Sequence, residues 1–352
     1  MKYFNGTKIA LFLFLLGMVA CTTSIPMEVL RPADIVLDSN IQKIALMDRS
    51  KPSSGFLNVL EGLVSGEGIG QDREGREKAM QGLAGVLSNT PRFEVVQTGI
   101  SMEGTKGGQR MAVPLPWSEV ERICNSVGAD ALVVIESYDS DYFSSTTQRE
   151  RKKKDDDGNE IIEKYWESDA NLNIRIGWRI YDPSKRILID EFTVNAGENY
   201  GGRGDTEEEA LRRLPNTLNA SRNISLGVGG TYAERIAPVF ILINRSIYNS
   251  GKKPFKTDMK QARDYVRVGN WDNAADIWNE VSNDADPKTA AKACINLAIA
   301  YERVGDFDNA VKYTERALFD YQFNGARAYY DQLNIRLREE DRANQQMQNK
   351  ID

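Results

Sequence analysis

Apolar positions along the chain follow two rhythms. Between residues 41 and 136, short apolar runs alternate with helical stripes. Residues 41–47 and 93–97 read as strands, and Ala79, Met80, Leu83 and Leu87 form one helical face, stopped at Asn89-Thr90-Pro91. Ser118 and Glu121 read as a capping box for a helix that ends at Gly128, just before the almost wholly apolar strand 131–136. This β-α-β-α-β order predicts three strands sharing one helix-covered sheet. The rhythm then changes to strict alternation: Ala170, Leu172, Ile174, Ile176, Trp178 and Ile180 interleave with polar residues, as in a strand with one buried face. Asp182-Pro183-Ser184-Lys185 turns the chain back into 186–194, so the sheet gains antiparallel members. Thr206 with Glu209, and Thr231 with Glu234, read as capping boxes of two more helices. The second of these, 231–248, carries Ile236, Val239, Phe240, Ile243 and Ile247 on one stripe and a kink at Pro238.

Farther on, Val268-Gly269-Asn270-Trp271-Asp272-Asn273-Ala274 recurs as Val304-Gly305-Asp306-Phe307-Asp308-Asn309-Ala310. The spacing resembles the roughly 34-residue period of tetratricopeptide repeats. Tyr265 and Tyr301, Ala274 and Ala310, and later Trp278 and Ala317 stand where that repeat needs packing residues. Two hairpins, about 255–287 and 288–322, are fewer than a stable stack requires. The helix 231–248 is therefore expected to cap one end, and a helix over 325–348, with Ala326, Tyr330, Leu333 and Leu337, the other. The expected architecture is an α+β domain over 35–230, a mixed sheet with helices, followed by all-α tetratricopeptide repeats over 231–352.

The first residues set the location. Lys2 and Lys8 precede an unbroken apolar run over 9–20, which leads into Cys21. The run is shorter than the roughly 20 residues of a spanning helix and has the layout of a secretory signal. It resembles the lipobox of bacterial lipoproteins. That resemblance implies removal of 1–20, lipidation of Cys21 and attachment to a membrane. Residues 21–34 contain two prolines and read as a tether. They lack an acidic run, and Thr22 follows the cysteine, which by the same resemblance favours the outer membrane, facing the periplasm. The stretch Val127-Gly128-Ala129-Asp130-Ala131-Leu132-Val133-Val134, with the later hairpin closing on Tyr181-Asp182, resembles the α/β domain of the TolB amino-terminal part and of curli-secretion lipoproteins. The whole order resembles an uncharacterised tetratricopeptide-bearing lipoprotein family of the Bacteroidota.

Composition narrows the chemistry. The formal net charge is −6, and both leader lysines are positive, so the remainder is more acidic and nucleic acid is not an expected partner. The chain has no histidine, which removes Ser-His-Asp and Cys-His systems and His-bound metals. Cys124 and Cys294 lie on apolar helical faces and read as buried free thiols. The charge block 149–157 reads as a solvated hairpin tip. Asp155, Asp157 and Asn159 open like a calcium loop, but Glu160 stands where its glycine belongs. No cofactor, metal or catalytic residue is expected. The expected function is a non-enzymatic envelope lipoprotein whose repeats bind another envelope protein or peptide. Lys260, Arg263, Arg267, Lys292, Asn296 and Arg303 would line the groove and receive an acidic segment or a terminal carboxylate. The alternative is an oligomeric secretion or envelope-assembly component.

Overall fold

The computed structural model describes residues 22–51, 69–90, 92–105, 110–283 and 286–348. The leader and Cys21 lie outside the described residues, as does most of the glycine-rich stretch 55–70. The chain divides into two compact units. One is Ala33–Val239 with residues 346–348; the other joins Phe240–Gln345 to residues 22–32.

The α/β unit is built on the expected mixed sheet. Its strands are β2 (Lys43–Lys51), β3 (Glu94–Glu103), β4 (Ala131–Lys154), β5 (Glu160–Asp182) and β6 (Ile187–Gly204), in the order β3-β2-β4-β5-β6. β2 runs parallel to both β3 and β4. β5 and β6 are antiparallel additions. Alternation along β2 and β4 sends side chains to two cores. Ile44, Leu46, Val133 and Ile135 face helices α1 (Ile69–Asn89) and α4 (Thr217–Ile236), where they meet Leu83, Leu87, Tyr232 and Ile236. Ala45, Met47, Leu132 and Val134 face α2 (Trp117–Val127), where they meet Val120, Ile123 and Cys124.

α1 and α4 cross at backbone distance. A Cβ on Gly229 would run into the Ala79 carbonyl, and one on Gly82 into that of Leu226. Glycine here is a packing requirement, and it lets Tyr232 stack on Trp178 with ring centroids 4.8 Å apart.

Two capping boxes are corrected. α2 is preceded by Pro116 with no side-chain cap. Thr231 and Glu234 lie inside α4, where the Thr231 hydroxyl donates to the Gly227 carbonyl, and Asn216 caps the helix instead. The Thr206 cap is present, opening α3 (Glu207–Arg212). β4 and β5 run far past their apolar cores, to 24 and 23 residues. Lys154 pairs with Glu160 at the end, and Asp155 holds the turn through Asn159, so the charge block is the hairpin tip. Polar positions on both faces hid this length from an apolar reading.

In the second unit, residues 22–31 are a strand rather than a tether. β1 (Thr22–Arg31) pairs with β7 (Val239–Tyr248) in a two-stranded sheet. The expected capping helix 231–248 is likewise corrected: α4 stops at Ile236, before Pro238, and the chain continues as β7. Val239, Arg245 and Ile247 are its buried positions. Four helices follow as two hairpins: α5 (Lys256–Arg267) with α6 (Trp271–Val281), and α7 (Pro287–Arg303) with α8 (Phe307–Glu315). Both hairpins turn the same way. Gly269 and Gly305 sit at φ +79° and +77°. The Asn270 and Asp306 side chains then accept from the Asn273 and Asn309 amides. A π-turn (Arg316–Asp320) and a 3-10 turn (Asn324–Ala326) lead to the long α9 (Arg327–Gln348), near the expected position. Met259, Ala262, Trp278, Cys294, Leu297 and Leu333 share this unit's core.

Gly229→Val should therefore destabilise the α/β unit by about 3 kcal/mol or more, at or beyond the usual range for overpacking. Gly85→Ala, where an added Cβ meets nothing, should gain up to about 1 kcal/mol of helix propensity. Urea denaturation of the two variants checks both.

Candidate functional site

The helical face expected to form an open groove is occupied by the chain itself. β7 and the residues after it run along α7 in the opposite direction. Arg245 makes a bidentate pair with Glu302, at 2.9 and 2.7 Å. Tyr248 donates its amide to the Asn296 carbonyl oxygen and accepts from the same side chain, each at 2.7 Å. Lys292 Nζ donates to the carbonyl and hydroxyl of Ser250. The Thr289 hydroxyl accepts from the Lys252 amide at 3.0 Å. Asn296 is wholly buried. It satisfies both backbone groups of one strand residue, which is how a side chain substitutes for a neighbouring strand.

Lys292 and Asn296 are thus corrected from ligand-facing groups to internal clamps. The other four expected groove residues are not gathered with them. Arg263 bonds Asp264 at 3.0 and 2.7 Å, and Arg267 lies 3.6 Å from the same carboxylate. Arg303 stacks its guanidinium 5.1 Å above the Trp271 ring, and Lys260 is exposed.

Sequence reasoning missed the residues that matter most here. Glu302 has no exposed side-chain surface and also accepts from the Tyr329 hydroxyl at 3.0 Å. Its signal was present: it lies seven residues after Ile295 and three after Ile299, a carboxylate on the apolar face of α7. A buried carboxylate with no partner is too costly to keep, so its position called for a cation.

A second buried charge cluster sits in the α/β unit. Glu136, fully buried, interrupts the β4–β5 register as a bulge between Ile135 and Ser137. It accepts from Tyr181 Oη at 2.5 Å and from Arg49 at 3.1 Å, with Arg179 3.5 Å away. Arg49 and Arg179 also donate to the carbonyls of Val113 and Ala112, and the Leu115 amide donates to Tyr181 Oη. Burial and the Glu136 hydrogen bond push the Tyr181 phenol up to about 12. The cluster straps the 110–116 loop beside the point where the parallel pairing of β2 and β4 ends. Both oxygens of Glu136 are engaged, and its partners hold the loop.

The remaining polar clefts differ in kind. At the amino ends of the parallel strands, a cavity of about 340 Å³ is lined by Asp38, Asp130, Asp182 and Lys185. Its carboxylates serve the chain: Asp182 accepts from the amides of Ser184 and Lys185, and Asp130 from those of Gln42 and Lys43. At the carboxyl ends, a larger cavity of about 690 Å³ opens between α1 and strands β2 and β3. Both thiols are shut away. Burial pushes Cys124 up to about 12 and Cys294 up to about 11, so neither is a nucleophile near neutral pH. Among the described residues no His, Cys, Asp and Glu group has the geometry to hold a metal ion, and no helix is long and apolar enough to cross a membrane.

A family model for a domain of unknown function, DUF8603, matches residues 41–248, more than half of the chain. The chain belongs to the DUF8603 family. A second model, the domain of unknown function DUF6340, matches residues 260–346. No curated protein matches significantly. Among solved structures, a PelC dodecamer from Paraburkholderia phytofirmans is similar at 11% identity. The match covers 60% of this chain and 99% of that one, with a TM-score of 0.25.

The DUF8603 match takes in the whole five-stranded sheet, the Glu136 cluster and β7, so the family's sequence pattern includes the strand that fills the groove. The six expected groove residues all fall within the DUF6340 match. Since Arg245 and Glu302 are both buried, removing one charge leaves the other stranded. Glu302→Gln should cost about 3–5 kcal/mol, and the apolar double variant Arg245→Met/Glu302→Leu should recover most of it. Chemical denaturation of the three proteins gives the comparison.

Proposed function

We propose that this protein is a non-catalytic lipoprotein of the cell envelope, held to the outer membrane through Cys21, which assembles with copies of itself by strand addition along the β4–β5 hairpin. One observation carries the reading. β2 pairs with β4 only as far as Ile135, and over residues 142–148 no described strand pairs with the outer edge of β4. Those residues read Tyr-Phe-Ser-Ser-Thr-Thr-Gln: seven residues of strand-favouring character without a charge, and Phe143 is 63% exposed. Soluble proteins usually guard such an edge with lysine, proline or a bulge, because it templates pairing with another chain. Here the charges are reserved for the tip. Arg151 and Lys153 pair with Glu163, and Arg149 with Glu167, which keeps the tip solvated and internally neutralised.

The same reading gives the helical unit a different role from the one its repeats suggest. Its two hairpins are taken as tetratricopeptide units whose groove is closed by β7. β1 begins one residue after Cys21, so a lipid on that cysteine would hold the helical unit close to the bilayer, without a tether.

Two measurements test the proposal. Native mass measurement of the detergent-extracted protein should give a closed oligomer of defined copy number, and Phe143→Lys/Ser145→Lys should reduce it to monomer with an unchanged circular dichroism spectrum. A monomeric wild type, or an oligomer indifferent to the two lysines, would remove the strand-addition reading. Separately, Cys21→Ser should abolish metabolic labelling with a fatty acid, and persistence of the label would remove the anchor.

A further inference from the structure

We propose that the cavity between α1 and the carboxyl ends of β2 and β3 binds a small molecule bearing an oxyanion, a carboxylate or phosphate, on an apolar body. The residue that points to this is Arg76. It is only 6% exposed, yet its Nε makes no hydrogen bond. Among the described residues its one charge contact is Asp48, 3.4 Å from that nitrogen. Asp48 is itself partly spent, since its other oxygen accepts from both the amide and the hydroxyl of Ser50. Guanidinium carries five donors in a planar fork, and burying it without hydrogen bonds is costly unless something else supplies acceptors. The other buried arginines, Arg92, Arg179, Arg245 and Arg336, each reach at least two acceptors. Arg336 also leaves its Nε without one, but its terminal nitrogens are engaged, whereas Arg76 has only the Asp48 contact among the described residues.

The surroundings of Arg76 specify the ligand. Arg73, one turn earlier on α1, and Lys51, at the end of β2, line the same cavity, and both are exposed. With Asp48 and Glu77 as the acids of the lining, cations are in excess. The apolar wall is Leu46, Met80, Ala84 and Ile100. A bidentate fork with two further cations recognises a carboxylate or phosphate, and an apolar wall requires a hydrocarbon or ring attached to it. The volume, about 690 Å³, is that of a small-molecule pocket.

The backbone is shaped for the purpose. Leu46 pairs with Gln97 and Asp48 with Ser101, so β3 holds extra residues between the two pairs. Gly99 takes φ +68° there, and this bulge pushes Gly99 and Ile100 into the cavity lining. The place agrees with the general position of ligands in open α/β sheets, outside the carboxyl ends of parallel strands.

The test uses the full chain and calorimetric titration with three probes: phenyl phosphate, hexanoate and inorganic phosphate. One of the first two should bind saturably at a single site and more tightly than inorganic phosphate; which of them does so tells phosphate from carboxylate. Arg76→Met should weaken that binding by about tenfold or more, equivalent to about 1.4 kcal/mol, without lowering the melting temperature, and Arg76→Lys should recover part of it. Should Arg76→Met fail to fold, Gly85→Leu serves in its place. Gly85 lines the cavity on α1 with open space around it, so leucine there should occlude the site and leave the helix intact. Absence of saturable binding by both organic probes at millimolar concentration overturns the proposal, as does unchanged affinity in a folded Arg76→Met or Gly85→Leu protein.

Discussion

A strand carries two rows of backbone donors and acceptors, and leaving either row buried and unpaired costs free energy that a marginally stable domain does not have. β7 meets this demand from both sides. β1, more than 200 residues earlier in the chain, supplies one row. Asn296, an amide projecting from a helix, serves Tyr248 on the other. Once β7 is laid against α7 in this way, the charge pair of Arg245 and Glu302 becomes possible, the groove face of the second hairpin is covered, and residues 22–31 become part of the fold. In the α/β unit the outer row of β4 over residues 142–148 has no such solution among the described strands.

Buried charge is the second organising feature. Glu302 and Glu136 occupy different units yet solve the same problem: a fully buried carboxylate held by arginine and by a tyrosine hydroxyl. Each ties distant segments together, β7 to α7 and α9 in one case, the 110–116 loop to β2, β4 and β5 in the other. Such pairs contribute modestly to net stability, because desolvation offsets most of the Coulombic gain, but they penalise every arrangement that separates the partners. Arg76 departs from the pattern. Its weak contact with Asp48 sets it apart from the arginines that serve the fold, each of which donates to two or more acceptors, and it lines a cavity.

The two units divide the work accordingly. Repeated helical hairpins ordinarily offer a concave face to a peptide, but here that face holds the protein's own strand. The α/β unit carries the features not consumed by folding: an uncharged strand edge, a charged tip neutralised across the hairpin, and a cationic cavity at the carboxyl ends of parallel strands. The DUF8603 match extends over all of these, whereas DUF6340 covers the helices alone.

Much of this architecture was legible in the chain. Period-two alternation over 170–180 and the apolar runs near 44, 95 and 133 determined which strands exist and which faces they bury, because burial of one face imposes that period on any strand. The recurring Val-Gly-(Asn/Asp)-aromatic-Asp-Asn-Ala determined the two hairpins, since only a left-handed glycine followed by an Asn or Asp cap turns helix into helix so tightly. Residues 239–247 were ambiguous: Val239, Ile243 and Ile247 satisfy a helical stripe and a strand alike. The tie was broken by Pro238 and by a partner strand far away in sequence, and sequence-local periodicity is blind to such a partner. For the same reason Lys292 and Asn296 read as a groove-lining row when they clamp a strand, and nothing in the residues around Arg76 marks the cavity beside it. A helix face becomes groove, core or ligand site according to what tertiary structure lays against it, and that contact is not encoded in the spacing of the residues that make the face.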